Sequence, residues 1–367
     1  MTETNRPLRV LMIGSNMRVV NGVASFSMNY MRHISPEEVQ FDFASVLDAE
    51  SPYNKEIEAR GGHTYTLPPI KDFKAHMAAC HDIIDNGHYD IIHDNTLFRS
   101  FPLLHYAKKS GVPVRILHSH SSAVGVTARK RASNAMLLPL MRSQCNVYLA
   151  CSKPAAACMF GKRNVTLVPN AIDMKHFAPD RRIRNAVRKK LQVEDKVVVG
   201  SVGRLSPVKN PFFAMDVFKE FLKLCPNAVY WWIGTGLVDD KVKEYVKEIG
   251  ISEQVKFLGS RSDVDLLYRG MDVFFMPSLY EGLPVTGIEA QAAHLPCVIS
   301  DVVTREMEYS NLIHYVSLDS PACEWAKVMD EAVHSDVPVV VDQHRFDIDA
   351  CADRLLQLYK KEVSKRK

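Results

Sequence analysis

Two charged segments in the second half of the chain contain the residue types needed to hold a diphosphate. In the first, Gly203 and Arg204 follow an apolar run, and Lys209 comes five residues after Arg204. Two cations beside a glycine-containing loop can neutralise a diphosphate leaving group, and arginine can bind it through paired hydrogen bonds. Two solvated basic side chains in an exposed loop are the alternative, so this segment alone is a weak signal.

The second segment combines acids with a predicted helix start between Glu281 and Glu289. Pro284 suits the first position of such a helix, and Gly282 lets the backbone approach a ligand. A helix start offers unpaired N–H groups to a phosphate, and the Leu283 backbone lies in the same turn. The two carboxylates could accept hydrogen bonds from sugar hydroxyls beside the phosphates. An ordinary helix start with an acid near its positive end is the alternative.

In the first half of the chain, His118 and His120 follow an apolar run that is predicted to be a strand. Ligands of open α/β sheets bind beyond the carboxyl ends of the strands, which makes this position a candidate site. If the strand continues through both residues, we expect His118 and His120 to point to opposite faces, which predicts that only one histidine serves the site. A structural role for both is an equal alternative.

The loop that joins the first predicted strand to the first predicted helix contains Asn21 and Gly22. It is long for a connection of this kind, which indicates ligand contact. The dinucleotide pattern GxGxxG is absent here and at Gly200–Gly203, and it is broken after Gly234 by Asp239. Its absence argues against a hydride-transfer enzyme.

Apolar runs alternate with helical patterns along the whole chain, which predicts an α/β protein with two buried, doubly wound parallel sheets. The alternation restarts near residue 195, and an amphipathic helix closes the chain. We therefore predict an N-terminal domain of residues 1–175, a C-terminal domain of residues 176–340 and a C-terminal helical segment of residues 341–367. The charged segment 180–190 near the boundary is predicted to be solvated.

Composition excludes several classes of protein. The 367 residues have a formal net charge of +4, which is too small to indicate nucleic-acid binding. The eight cysteines include no CxxC pair, and neither a secretory signal nor an apolar stretch long enough to span a membrane is recognisable, so the cytoplasm is the expected location.

Basic residues are concentrated in the first half of the chain. Residues 1–175 contain 20 Lys and Arg against 14 Asp and Glu, and a basic cluster at 129–131 precedes an apolar run at 136–141. Such a segment can lie on an anionic membrane surface, which predicts a peripheral contact of the N-terminal domain at the inner face of the cell membrane. A helix with one core face and one solvated face is the alternative.

Together these motifs resemble the GT-B glycosyltransferases of family GT4, particularly bacterial enzymes of exopolysaccharide and capsule synthesis. The E-x7-E element of the family matches Glu281 and Glu289, and its G-R-L…K element matches residues 203–209. Its linker motif V-I-P-N-G-I-D matches residues 168–173, where Ala171 replaces glycine. Its Gly-Gly loop matches residues 21–22, and its strand-end histidine matches His118.

The resemblance implies a role for each matching residue. Arg204 and Lys209 would bind the donor diphosphate, Glu289 the ribose and Glu281 the transferred sugar. His118 would lie near the 6-position of the sugar and assist the reaction. The resemblance implies further contacts with the donor by Gly22, Leu258, Gly282, Leu283 and Pro284. It also implies contacts with the sugar or the acceptor by Asn21 and His120.

The resemblance also implies the fold and the reaction. Two Rossmann-like domains would bind the acceptor and the nucleotide-sugar respectively, with the active site in the cleft between them and the C-terminal helix crossing back to the N-terminal domain. The reaction would be retaining transfer of a hexosyl or N-acetylhexosaminyl group from a UDP-sugar to a glycan or lipid-linked acceptor, without a metal or other cofactor. Two alternatives remain open, a GT-B nucleotide-sugar epimerase and a non-catalytic sugar-nucleotide-binding subunit.

Overall fold

Strands and helices alternate through the two units into which the chain divides. Unit 1 comprises Met1–Ala171 with Ile348–Lys367, and unit 2 comprises Ile172–Asp347. The computed structural model describes residues 6–14, 22–45, 51–121, 128–342 and 344–366, with the side chains of residues 97 and 128–133 left aside.

Unit 1 contains a parallel seven-stranded sheet in the order β3-β2-β1-β4-β5-β6-β7. Its strands are β1 (Leu8–Gly14), β2 (Val39–Ser45), β3 (Thr64–Thr66), β4 (Ile91–Asp94), β5 (Val114–Ser119), β6 (Val147–Ala150) and β7 (Thr166–Leu167). Its helices are α1 (Gly22–His33), α2 (Asn54–Ala59), α3 (Phe73–Gly87), α4 (Phe101–Lys109), α5 (Ala128–Gln144) and α6 (Lys153–Phe160), with a 3-10 turn at Leu97–Ser100.

Unit 2 repeats this architecture with a parallel six-stranded sheet in the order β10-β9-β8-β11-β12-β13. Its strands are β8 (Val197–Val202), β9 (Ala228–Ile233), β10 (Val255–Gly259), β11 (Val273–Met276), β12 (Cys297–Ser300) and β13 (Ile313–Val316). Its helices are α7 (Met174–Phe177), α8 (Arg181–Lys190), α9 (Pro211–Leu224), α10 (Asp239–Glu248), α11 (Val264–Gly270), α12 (Val285–Ala292) and α13 (Ala322–Val333), with 3-10 turns at Pro207–Lys209 and Arg305–Met307.

The last helix, α14 (Ile348–Ser364), belongs to the core of unit 1 although it follows unit 2 in the sequence. Leu355 and Tyr359 are fully buried there beside Met28 and Met31 of α1. Buried residues recur every three or four positions along α14, as expected for one apolar face of a helix. The prediction that the terminal helix packs back on the N-terminal domain is therefore confirmed.

The segment 180–190 is not the solvated linker that its charge suggested. Most of it forms α8, and Arg188 is buried where its guanidinium bonds the Asp272 carboxylate at 2.9 Å. Arg184 bonds the same carboxylate, which also accepts from the Val198 backbone N–H at 2.8 Å. The other face of α8 is exposed, so the prediction holds for that face alone.

Each sheet has one position at which the strand order changes direction. In unit 1 it lies between β1 and β4, and in unit 2 between β8 and β11. Loops that leave the carboxyl ends of such neighbouring strands run in opposite directions and leave a crevice, where open α/β sheets bind ligands. Within the described ranges, no helix is both long enough and apolar enough to cross a bilayer.

Candidate active site

The cationic loop of unit 2 leaves β8 at a glycine that no other residue could replace without strain. Gly203 has φ +146°, and a Cβ atom there would lie 2.9 Å from Cε of Lys209. Its carbonyl accepts a hydrogen bond of 3.0 Å from the Trp232 indole. The Arg204 side chain is exposed, and no described residue forms a hydrogen bond or ion pair with it. Its guanidinium can therefore bind an anion without breaking an existing contact.

The structure brings the predicted basic and acidic segments together. Nζ of Lys209 lies 2.7 Å from Oε1 of Glu281, and the two side chains are only 19% and 16% exposed. A backbone hydrogen bond of 2.8 Å from the Leu279 N–H to the Val208 carbonyl joins the same two loops. These loops follow β8 and β11, so they meet where the strand order of unit 2 changes direction.

Helix α12 starts one residue later than predicted. Pro284 has an extended backbone (φ −72°, ψ 111°) and is the N-cap, so the first helical residue is Val285. The first N–H groups of a helix have no partner within the helix and carry partial positive charge. Leu283 and Pro284 are buried and Gly282 is half-buried. This helix start follows directly after Glu281, the acid paired with Lys209, in the sequence.

Glu289 is held inside unit 2 by a tyrosine that the sequence did not reveal. The buried Tyr268 hydroxyl donates to Oε2 of Glu289 at 2.9 Å. Burial raises the pKa of Glu289 to about 7, and the tyrosine hydrogen bond opposes that rise only in part. The carboxyl group is thus poised between its neutral and charged forms near neutral pH, which is typical of a functional site.

Two glycines after β9 support the cationic loop. Gly234 has φ +130°, and a Cβ atom there would lie 2.2 Å from the Gly203 carbonyl oxygen, while one on Gly236 would lie 2.0 Å from that of Leu205. The Gly234 N–H also donates to the Gly259 carbonyl at 2.7 Å, beside the half-buried Leu258. Gly234, which the sequence presents only as the start of a broken dinucleotide pattern, therefore acts with Gly236 to let three strand-end loops approach one another.

In unit 1, His118 and His120 lie on the same side of the sheet, and the prediction of opposite faces was wrong. Their ring centroids are 4.1 Å apart, and both rings pack in edge-to-face geometry against the Phe26 ring. Successive side chains of an extended backbone alternate between the two faces, so residues two apart share a face, and the prediction counted this alternation incorrectly. Nε2 of His120 lies 2.8 Å from Oδ1 of Asn95, which follows β4.

A third histidine, His93 of β4, is hydrogen-bonded to His118. Nε2 of His93 lies 3.0 Å from Nδ1 of His118, and both side chains are fully buried. Burial lowers the pKa of His93 to about 3 and that of His120 to about 4, and it lowers the pKa of His118 well below its usual range. All three rings are therefore neutral at physiological pH.

The first loop is described only at its end. Gly22 is the first residue of α1 and is exposed, with open space where a Cβ atom would lie. Asn21 lies outside the described residues. Among the residues that are described, no group of three or more His, Cys, Asp and Glu is arranged to hold a metal ion. The expectation that no metal is needed stays a prediction.

Comparison with known proteins decides the family. The family model "Glycosyl transferases group 1" matches residues 183–312, which include the cationic loop, Glu281 and Glu289. A Bacillus subtilis protein named glycosyltransferase EpsF is 30% identical over 344 residues, covering 90% of this chain and 89% of its own. This chain belongs to the group 1 (GT4) glycosyltransferases.

Two further comparisons extend this result. The Escherichia coli UDP-Gal:alpha-D-GlcNAc-diphosphoundecaprenol alpha-1,3-galactosyltransferase is 27% identical, covering 86% of this glycosyltransferase and 87% of its own chain. The crystal structure of Anabaena HepE in complex with UDP and glucose has a TM-score of 0.75 at 15% identity and covers 98% of both chains. The predicted family and the predicted GT-B fold of two Rossmann-like domains are confirmed.

Several residues of this glycosyltransferase that matter to the site were missed. Tyr268, His93 and Tyr359 are interior partners of predicted residues, and partners of this kind come from elements distant in the sequence. A signal existed for His93, because it lies in a run of polar residues at the end of β4. None existed for the two tyrosines, which have the spacing of ordinary core residues.

Proposed function

We propose that this glycosyltransferase transfers a sugar from a UDP-sugar donor to a hydroxyl of a glycan or lipid-linked acceptor. The transfer retains the anomeric configuration and serves the synthesis of a bacterial surface polysaccharide. The transferred group is a hexose or an N-acetylhexosamine. The observation that carries the proposal is the contact between Lys209 and Glu281 at the carboxyl edge of the unit 2 sheet, next to Arg204 and the start of α12.

The donor diphosphate fits this edge by charge. Arg204 and Lys209 supply two cations, and the α12 start supplies N–H groups of partial positive charge, so negative charge that develops on the leaving group would be stabilised without a metal. Glu289 would accept hydrogen bonds from the ribose, and Glu281 from the transferred sugar. The choice of UDP is supported by the UDP-galactose of the E. coli relative and the UDP bound to Anabaena HepE.

The reaction exchanges one bond at the anomeric carbon for another. The bond from the anomeric carbon to the diphosphate oxygen breaks, and a bond from the same carbon to the acceptor oxygen forms. The acceptor proton passes to an oxygen of the departing diphosphate, and this group leaves as UDP. In this scheme Arg204 and Lys209 stabilise the leaving group, and His118 donates a hydrogen bond to a hydroxyl oxygen of the transferred sugar.

A lipid-linked acceptor would require the enzyme to reach a membrane surface. The name of the E. coli relative specifies a diphosphoundecaprenol acceptor. In α5, Met136, Leu137 and Leu140 are exposed by 79%, 45% and 47%, and they follow the basic cluster 129–131 in the same helix. Exposed apolar side chains in a helix whose sequence also contains a basic cluster favour contact with anionic lipid, so we include a peripheral membrane contact in the proposal.

Vesicle flotation tests this contact. Wild-type protein should float with vesicles that contain anionic lipid at low salt, and the double variant Met136→Ser/Leu140→Ser should float less because it loses apolar contact area. Leu224→Ser is the matched control, since Leu224 is an exposed apolar residue of unit 2. A contact through α5 would be contradicted if wild type, the double variant and Leu224→Ser floated equally, or if none of the three proteins floated.

Product analysis tests the proposed reaction. The enzyme is incubated with UDP-hexoses and UDP-N-acetylhexosamines and with a diphosphoprenol-linked sugar as acceptor, and the product is examined by NMR. The proposal predicts UDP release that requires the acceptor, together with a glycosidic bond of the donor's anomeric configuration. An inverted linkage would contradict retention. A changed nucleotide-sugar without acceptor would indicate an epimerase, and binding without turnover would indicate a non-catalytic subunit.

A further inference from the structure

A chain of three buried side chains connects the C-terminal helix to His118. The Tyr359 hydroxyl of α14 lies 2.6 Å from Nδ1 of His93, and Nε2 of His93 lies 3.0 Å from Nδ1 of His118. All three side chains have no exposed surface. The chain ends at Nε2 of His118, which is buried and forms no close hydrogen bond with the described residues, although a contact of the ring with the Val168 backbone partly opposes the lowering of its pKa.

Only two proton arrangements are possible for this chain. Each neutral imidazole has one N–H, so either every hydrogen bond points from Tyr359 towards His118 or every one points back. In the first arrangement the Tyr359 O–H donates to His93, His93 donates to His118, and the proton of His118 is on Nε2. In the second, the proton of His118 is on Nδ1, and Nε2 presents a lone pair.

The surroundings of Tyr359 favour the first arrangement. Its hydroxyl must donate to some acceptor when it is buried, and within the described part of the chain the other acceptor in contact with it is the sulfur of Met12 at 4.0 Å. A thioether is a weak acceptor, whereas the imidazole nitrogen at 2.6 Å is a strong one at a distance typical of O–H donation. Burial also raises the pKa of Tyr359, so its hydroxyl keeps the proton.

We propose that Tyr359 and His93 are positioning residues that hold His118 in the tautomer with its proton on Nε2. The C-terminal helix is then part of the chemistry of unit 1 as well as part of its core. This inference rests on the proposed function, in which the Nε2–H of His118 donates to a hydroxyl oxygen of the transferred sugar. A buried N–H without a close protein acceptor is unfavourable, and a ligand oxygen would satisfy it.

Nitrogen NMR of histidine-labelled enzyme tests the tautomers without any substrate. Two-bond couplings distinguish Nε2–H from Nδ1–H rings, and the signals are assigned with His93→Gln and His118→Asn variants. The wild-type protein should show both His93 and His118 as Nε2–H tautomers. Tyr359→Phe should shift both rings towards a mixture, because His93 loses its donor. An Nδ1–H tautomer of His118 in the wild-type enzyme would overturn the proposal.

Kinetics supply the second measurement. Tyr359→Phe should lower kcat/KM for the donor by about tenfold, the effect of losing one hydrogen bond. Tyr89→Phe is the matched control, because Tyr89 is a buried tyrosine of unit 1 whose hydroxyl donates to Asp42 at 2.8 Å rather than to His93. Tyr89→Phe also loses one buried tyrosine hydroxyl, and it should keep the activity of the wild-type enzyme.

The two variants separate positioning from packing. If both lose activity equally, in proportion to lost stability, Tyr359 has only a structural role and the inference fails. The tautomer of His118 is measured without a donor, so it can contradict this inference even if transfer occurs as proposed. Conversely, absence of transfer activity in the wild-type enzyme would contradict the proposed function and leave the tautomer result standing.

Discussion

At the residue scale, the described part of the unit 2 site combines one unpaired cation with acids that are held by protein partners. Arg204 has no protein partner among the described residues, whereas Glu281 is paired with Lys209 and Glu289 with Tyr268. The motif residues themselves could be predicted because their types and spacing follow from the chemistry of a diphosphate. The pairing of each acid could not, since Tyr268 comes from α11 and contacts Glu289 only after the sheet has formed.

Glu289 should link stability to pH. Its pKa in the folded protein, about 7, is above the ordinary value of 4.5, so it stabilises the fold below pH 4.5 and this stabilisation is lost as the pH rises through 7. Glu289→Gln cannot ionise and still accepts from Tyr268. We expect the variant to melt above wild type at pH 8, by a margin that shrinks towards pH 5, in calorimetric scans.

The same substitution should weaken donor binding. A carboxylate accepts ribose hydrogen bonds more strongly than an amide does, so Glu289→Gln should lose roughly 10- to 100-fold in donor kcat/KM at pH 8. The exposed Glu244→Gln is the control for the loss of one carboxylate from unit 2. For the stability prediction, the contrary result is a melting-temperature difference between Glu289→Gln and wild type that stays constant from pH 5 to pH 8. It would show that the pKa of Glu289 is not raised in the folded protein.

At the element scale, the alternation of strands and helices was predictable because buried parallel strands and amphipathic helices have distinct hydrophobic periods. Details that depend on tertiary contacts were not. Helix α8 contains so many charges that its sequence suggests a solvated segment, yet Asp272 holds two of its arginines. The three-residue β3 is too short for periodicity to reveal.

The glycine turn after β9 should be essential to the shape of the cationic loop. Gly234→Ala would place a methyl group 2.2 Å from the Gly203 carbonyl oxygen, so the backbone before Arg204 must move. The expected cost is roughly 2–4 kcal/mol of stability, from the overlap and the strained φ. UDP affinity should fall as well, since Arg204 is displaced. Calorimetric unfolding and titration with UDP measure both effects.

Gly250→Ala is the matched control for this turn. Gly250 has φ +78°, but nothing lies within 4 Å of the added carbon. It should therefore lose roughly 1–2 kcal/mol from backbone strain alone and keep its UDP affinity. If the two variants bind UDP equally well, the glycine turn does not position the cationic loop.

At the scale of the whole molecule, each unit has its own buried core, and α14 completes that of unit 1. The amphipathic pattern of α14 was clear in the sequence, but which core it joins was supplied only by the family resemblance. A helix that follows unit 2 in the chain could pack against either sheet by its pattern alone. The unit boundary at Ala171 and Ile348 reflects this return of the chain.

Separate cores predict separate responses to a core substitution. Leu355→Ala removes a fully buried side chain from unit 1 and should cost about 2–5 kcal/mol there. The three tryptophans, Trp231, Trp232 and Trp325, all lie in unit 2, so tryptophan fluorescence reports on that unit. In urea, the variant should lose circular dichroism earlier while its fluorescence midpoint stays at the wild-type value.

The exposed neighbour Gln357 provides the control for that helix, and Gln357→Ala should leave both signals unchanged. If Leu355→Ala moves the fluorescence midpoint together with the circular dichroism, the two units unfold as one, and α14 stabilises more than the unit whose core contains it.

The diphosphate site itself is tested most directly by calorimetric titration of UDP, in the presence of EDTA, into wild-type enzyme, Arg204→Ala and the exposed control Arg182→Ala. Loss of the charge-assisted contact of Arg204 should raise the Kd of UDP roughly 10- to 100-fold. Wild type and Arg182→Ala should bind UDP equally well without a metal. Equal affinity of all three proteins would contradict a diphosphate site at Arg204, and binding that requires a divalent cation would contradict a site that relies on protein charges alone.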